Sequence, residues 1–357
     1  MRLGYCTDTC KLFAASILLV CSGSFGASAE TPQIVDGKLA ETRALEEQAA
    51  SRSSYGTYVS PQVRPRSDRD SGHNESLMFV NNVFLRTFGE IGYLAEKVVV
   101  AARPKDPAQP VIMDDPQSFD LVVLSGRVIV PPKALTELIG SHVFNFDGSP
   151  LRQVHVETKP DLLVMSGEMN RKGKWVSFLM EGKIALAENS TLAFTPSRTE
   201  IDGKSANALI EAANLDLDEI ISLKAPGVTL NKSTVYLNPG GMFPPPALTL
   251  SVKSAKVEER GLVLEGTSKG APAFPEPIVK SDSYVLIRGG DVKFLNMMPV
   301  NILMQIMAES GGSPRLDFSL YDYRTQLAAG HLKFRPDGGV LIFLRNYTEL
   351  KSGASAQ

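Results

Sequence analysis

The chain has no cysteine beyond residue 21. Its three cysteines, Cys6, Cys10 and Cys21, all fall in the first stretch of sequence. A protein built from the remainder can hold no disulfide, no thiolate metal site and no cysteine nucleophile, so its stability has to come from a core. Histidine is also scarce: His73, His142, His155 and His331 are spread so far apart that no two have metal-ligand spacing. There is one tryptophan, Trp175, and aromatics make up 7% of the chain, which argues against the aromatic platforms of a sugar-cleaving cleft. No nucleophile elbow, phosphate-cradling loop or dinucleotide glycine pattern appears. The formal net charge of −2 leaves no electrostatic footprint for nucleic acid.

The amino terminus has the form of an export signal. Arg2 and Lys11 precede the apolar run Leu12–Val20, and Ala27-Ser28-Ala29 has the small-x-small form of a cleavage site, so Glu30 is the expected start of the mature chain. The run is too short for a comfortable bilayer span. Acylation at Cys21 is the rival reading, although the bulky Val20 stands where a small residue is preferred. The expected location is the periplasm or the exterior. Loss of Arg2, Lys11 and Asp8 takes Lys+Arg from 37 to 35 and Asp+Glu from 39 to 38, a net charge near −3.

After residues 1–29, residues 30–76 are poor in large apolar side chains. With Pro61, Pro65 and the charged run Arg64–Asp70, they have the composition of a flexible tether. Residues 77–350 form the expected folded domain, and residues 351–357 a tail. Within the domain, Leu77, Val80, Phe84, Phe88, Ile91, Leu94 and Val98 recur at intervals of three and four, which predicts a long amphipathic helix over Leu77–Ala102, about 35–40 Å at 1.5 Å per residue. Phe119–Val130 has strand character with a bend at Gly126. Pro131-Pro132 then opens a helix presenting Leu135, Leu138 and Ile139. Strands are expected at Val154–Glu157, Leu162–Gly167, Trp175–Ala187, Leu262–Glu265, Tyr284–Arg288 and Val292–Leu295.

The stretch Thr191–Glu265 alternates between the two kinds of structure. Thr191–Phe194 reads as a strand interrupted by Pro196, Ile201-Asp202-Gly203 as a turn, and Ala206, Leu209, Ile210 and Ala213 as one helix face. Ser233–Leu237 follows as a strand, and beyond Pro244-Pro245-Pro246 the residues Leu248, Leu250 and Val252 share a strand face. Near the carboxyl end, Pro299 begins an expected helix through Ile306 in which Val300, Leu303, Met304 and Met307 share a face. His331–Arg335 and Val340–Arg345 make a closing hairpin around Asp337-Gly338-Gly339. The nearest approaches to paired carboxylates are Asp114-Asp115 and Asp216 with Asp218.

The run Leu192-Ala193-Phe194-Thr195-Pro196, then Ile201-Asp202-Gly203, a short helix, Leu237-Asn238-Pro239 and Pro244-Pro245-Pro246 resembles the LmeA-like phospholipid-binding proteins of bacterial envelopes. These are similar in turn to the tubular lipid-binding superfamily. The resemblance covers Phe119–Leu264. It implies an α+β fold in which a strongly twisted antiparallel sheet, with short marginal helices, wraps around a long amphipathic helix, here Leu77–Ala102. It also implies binding or carriage of lipid acyl chains in an apolar groove, without covalent chemistry. The periodicity and the resemblance together nominate Phe84, Phe88, Leu135, Ile139, Leu209, Ile210, Met304 and Met307 as groove residues. No catalytic residue, metal or cofactor is expected, and the expected partner is a phospholipid-class lipid with transient membrane contact. Two other readings stand beside this one: an envelope structural or interaction protein whose stripes are ordinary core, and a hydrolase with an unrecognised site.

Overall fold

The computed structural model describes residues 74–207, 216–219, 223–267, 270–295, 297, 299, 301–309 and 315–354. The proposed leader and the proposed tether up to His73 lie outside them, as do Leu209 and Ile210, while Ser76, assigned to the tether, begins the first strand. The described chain is mainly β, with a curled, predominantly antiparallel half-barrel sheet as its principal feature.

That sheet has eleven strands. Its centre is a hairpin, β1 (Ser76–Phe88) and β2 (Ile91–Pro104), turning at Gly89-Glu90. On the β2 side lie β4 (Phe119–Val130), β15 (Gly261–Gly266) and β14 (Val252–Glu258). On the β1 side lie β16 (Tyr284–Arg288), β18 (Leu303–Ala308), β21 (Val340–Leu344) and β20 (His331–Phe334). The short strand β13 (Ala247–Leu250) runs parallel beside β4, and β19 (Asp317–Ser319) runs parallel beside β1.

The expected long helix at Leu77–Ala102 is therefore a correction: those residues are the β1–β2 hairpin. Two features disguised it. The middle of the sheet is covered on both faces, which removes the apolar/polar alternation of a half-buried strand. In addition, Asn82 takes a left-handed backbone (φ 52°) and the ladder slips between Arg86 and Phe88, so apolar residues recur at threes and fours without a helix. The expected helix from Pro299 through Ile306 is likewise corrected, because Leu303–Ala308 is strand β18. Met304 and Met307 are three apart on a strand, so they point to opposite faces rather than sharing one.

A second sheet of eight strands follows the order β10 (Lys224–Ala225), β11 (Val228–Asn231), β12 (Thr234–Leu237), β8 (Leu192–Ile201), β7 (Lys174–Leu186), β6 (Leu162–Arg171) and β5 (Leu151–Lys159), with β9 (Lys204–Ser205) beside β8. Pro196 does not end its strand. It lies where the β7–β8 register slips, opposite Gly182, a place where a missing N–H is tolerated. Residues β3 (Val111–Ile112) and β17 (Val292–Lys293) form a separate parallel pair.

Helix α1 (Pro132–Thr136) starts where the prolines predict and continues in wider π turns through Glu137–Val143. It packs on β5 at Gly140, where a Cβ would lie 3.0 Å from the Val154 carbonyl oxygen. The Thr136 hydroxyl bonds both backbone groups of Val156, at 2.9 and 3.3 Å. Three further helices are α2 (Pro239–Met242), α3 (Tyr323–Ala329) and α4 (Tyr347–Ala354); α4 occupies part of the expected tail. One apolar cluster runs through both sheets and α1, including Val80, Val98, Phe119, Leu135, Met180 and Phe194. A smaller cluster of Phe79, Val99, Tyr284, Leu286, Met307 and Leu341 lies on the opposite, outer face of the large sheet.

The bend in β4 depends on Gly126. Its φ is +124°, and an added Cβ would fall 2.3 Å from the Lys97 carbonyl oxygen. We expect Gly126→Ala to cost about 2–3 kcal/mol, seen as a lower midpoint in urea unfolding with an unchanged slope. A variant as stable as the parent would show that β2 and β4 do not approach this closely.

Candidate functional site

The nominated groove residues that are described do not converge. Leu135 and Ile139 are buried in α1 against β5. Phe84 is half-buried beside Arg86. Phe88, at the tip of the β1–β2 hairpin, is 56% exposed, with its ring edge-on to the 41% exposed Tyr321 (centroids 5.6 Å apart). The Tyr321 hydroxyl donates to the Pro245 carbonyl oxygen at 2.9 Å, so the hairpin tip, the loop after β19 and the proline block meet in one small aromatic projection.

Met304 faces inward. With Met113, Phe294, Ile306, Tyr323 and Leu327 it helps line an apolar cavity of about 30 Å³ between the sheet and α3. The Tyr323 hydroxyl donates to Asp114 at 2.6 Å and accepts the Leu295 N–H at 3.4 Å. Burial, reinforced by the Asp114 carboxylate, pushes this phenol far above its ordinary range. Met307 points the other way, into the outer cluster.

The most elaborate polar arrangement is structural. The Arg86 guanidinium, 7% exposed, forks onto Asp317 at 2.6 and 3.0 Å and reaches Glu90 at 3.0 Å. It lies between the Phe84 and Tyr347 rings, at 4.8 and 4.9 Å from their centroids. The Asp317 N–H donates to Asn346 at 2.8 Å, and Gln326 accepts from the Ser319 N–H while donating to the carbonyls of Asp317 and Arg345. Arg86, Asp317 and Glu90 are thus engaged by one another, with Glu90 partly open to solvent.

Several of the other chemistry-bearing residues have local partners. Asp115 accepts a turn N–H from Gln117, Asp218 accepts the Lys232 N–H, and Asp216 accepts from the Ser233 hydroxyl. His155 lies 3.5 Å from Glu157. His331 stacks on Phe343 at 4.5 Å and lies 3.3 Å from Glu309. Among the described residues no group of three or more His, Cys, Asp or Glu side chains could hold a metal ion, and no helix is long and apolar enough to cross a membrane.

Sequence reasoning missed Gln305. It is fully buried in β18, and its side-chain amide clamps both backbone groups of Val279. The signal was present as one amide inside the apolar run Leu303-Met304-Gln305-Ile306-Met307. A run read as a helix hid the fact that Gln305 and Met307 share a face.

No family model, curated protein or solved structure matches this chain.

Two buried phenols set an alkaline limit. Burial pushes Tyr93 up to about 12, and Tyr323 is also raised. Each keeps its proton in the folded state after the unfolded chain has begun to lose it near pH 10. Their contribution is thus complete below pH 10; that of Tyr93 is lost as pH rises through about 12, and that of Tyr323 goes on falling above it. We expect unfolding free energy to fall between pH 10 and 12 by about 1.4 kcal/mol per pH unit for each such tyrosine. Tyr93→Phe should reduce that slope by one proton's worth in denaturant titrations; an unchanged slope would remove Tyr93 from this role.

Proposed function

We propose that the chain is a non-catalytic, exported protein of the cell envelope that works through its surface, with an interior packed as a scaffold. The observation that carries this reading is the packed apolar core among the described residues. The apolar cluster is continuous through both sheets and α1, and the cavity beside Met304 measures about 30 Å³. Ligand pockets run to about 300–1,000 Å³, so an acyl chain has no seat in that cavity without rearrangement of α3 or the sheet. The local hydrogen bonds of Asp115, Asp216 and Asp218 and the stacking of His331 support a role without covalent chemistry. Export remains part of the proposal and is supported by the pattern of the first 29 residues.

The second reading is lipid engagement, as the resemblance to LmeA-like proteins implies. A separate observation favours it: the Phe88–Tyr321 projection. Aromatic rings at an exposed tip suit the interfacial layer of a bilayer, where an apolar ring body and a polar edge are both accommodated. Adjacent charge is balanced, since Lys133 pairs with Glu90 at 3.0 Å, so such contact would not require anionic headgroups.

Native mass spectrometry and organic extraction of protein purified from its own envelope separate the two readings. A packed scaffold should carry no stoichiometric lipid and take none up from vesicles. One acyl lipid per chain would overturn that reading in favour of carriage.

A further inference from the structure

Four basic side chains crowd one end of the eight-stranded sheet. Arg171, Lys172 and Lys174 belong to the β6–β7 turn, and Lys204 follows the neighbouring β8–β9 turn. All four are exposed, and none has an ion-pair partner among the described residues. Both turns are built to hold their shape. Lys172 and Gly173 take left-handed backbone (φ 50° and 83°), as do Asp202 and Gly203 (54° and 70°), the pattern of tight two-residue hairpin turns. The Asn170 side chain accepts the Gly173 N–H at 3.0 Å, and the Asp202 N–H donates to the Ser177 carbonyl at 2.8 Å, tying the second turn to β7. Aromatic rings accompany the charge. Trp175 is half-buried at the start of β7, with the Arg152 guanidinium 4.3 Å from its ring centroid. Phe146, 44% exposed, is in the loop that enters β5, and that loop meets the β6–β7 turn where the Asn170 N–H donates to the Pro150 carbonyl at 2.8 Å. Of the nearby carboxylates, Glu168 pairs with Arg152 and Glu200 with Arg198, which leaves Asp147 and Asp202 against the four unpaired cations. The excess is local and positive, in a chain whose formal net charge is −2.

We infer that this end of the sheet docks on a bilayer surface that carries anionic lipid headgroups. The cations stand on projecting turns rather than in a cleft, so they meet a broad anionic plane without any rearrangement of the fold. Trp175 and Phe146 lie beside them, and aromatic rings next to Lys and Arg suit the headgroup layer, where an apolar body and a polar edge are both accommodated. The long stems of Lys172 and Lys174 can lie along that layer while their ammonium groups reach the phosphates. Each basic side chain held at an anionic surface raises partition by roughly fivefold. The opposite sign of the rest of the chain favours one orientation, with these turns toward the membrane. The inference rests on the reading of a packed protein that works through its surface, and it names the partner of that surface. No acyl chain has to leave the bilayer.

The test uses the full chain with vesicles of phosphatidylcholine alone or with about one third phosphatidylglycerol. Binding is read by sedimentation and by the emission of Trp175, the single tryptophan of the chain. Wild type should sediment with the anionic vesicles and not with phosphatidylcholine alone, and Trp175 emission should shift to the blue. Salt at about 0.5 M should release the protein by screening. Lys172→Gln with Lys174→Gln should weaken partition by about twentyfold. Lys183→Gln with Lys333→Gln, which removes two exposed lysines away from these turns, should leave it unchanged. Equal binding to both kinds of vesicle, indifference to the Lys172 and Lys174 substitutions, or binding without a Trp175 shift would each overturn the inference. So would a soluble polyglutamate peptide that shifts Trp175 emission where anionic vesicles do not, the mark of an acidic protein partner. Failure to sediment with anionic vesicles overturns the docking alone, whereas stoichiometric lipid in the purified chain bears on the packed core and not on this surface.

Discussion

The forked ion pair between Arg86 and Asp317 is the contact on which the carboxyl-terminal part of the structure hangs. Strand β19 reaches the sheet only through a three-residue parallel pairing with β1, yet it leads into α3 and anchors the residues that precede α4. Burying a guanidinium and a carboxylate is costly unless every donor and lone pair is engaged. Here the Arg86 donors are taken up by Asp317, Glu90 and the Gly89 carbonyl, and its flat faces are covered by Phe84 and Tyr347. Burial alone would lower the Arg86 pKa, but the bonds and charges of Asp317 and Glu90 outweigh it and hold the guanidinium above its ordinary value. Glu90 passes the link to Lys133 in α1, so a single cation couples the hairpin tip, β19, α4 and the first helix.

The large sheet is also covered on both faces. β1, β16, β18 and β21 meet the main core on one face and Phe274 and Ile278 on the other. Val285, Ile287, Met304 and Ile306 point inward; Tyr284, Leu286, Gln305 and Met307 point outward. The exposed Phe88 ring lies at the tip of the central hairpin, while the Gln305 amide is buried in an interior strand, bonded to the backbone of Val279.

How much of this was legible follows from burial. Phe119–Val130, the helix opened by Pro131-Pro132 and the closing hairpin around Gly338 could be read from residue order, because turn chemistry and one-sided patterns are local. The β1–β2 hairpin could not. Enclosure on both faces erased its alternation, and the positive φ at Asn82 with the slip near Arg86 replaced it with a helix-like spacing. Met304 and Met307 were assigned to one face for the same reason, although the strand sends one into the cavity and the other into the outer cluster with Phe274 and Ile278. The short helix α3 has Leu327, Ala328 and Ala329 as its main apolar residues, too brief a pattern to register without Gln326 and its tertiary bonds. Arg86 and Asp317, 231 residues apart, carry no mark of their pairing in the sequence.

A double-mutant cycle at Arg86 and Asp317, read by equilibrium unfolding, tests the central interaction most directly. Arg86→Met alone should cost about 3–5 kcal/mol by leaving Asp317 buried without its partner. Arg86→Met combined with Asp317→Leu should recover much of that loss, giving a coupling energy well above 1 kcal/mol. Additive single and double effects, with a coupling near zero, would contradict the pair as the contact that holds β19, α3 and α4 to the sheet.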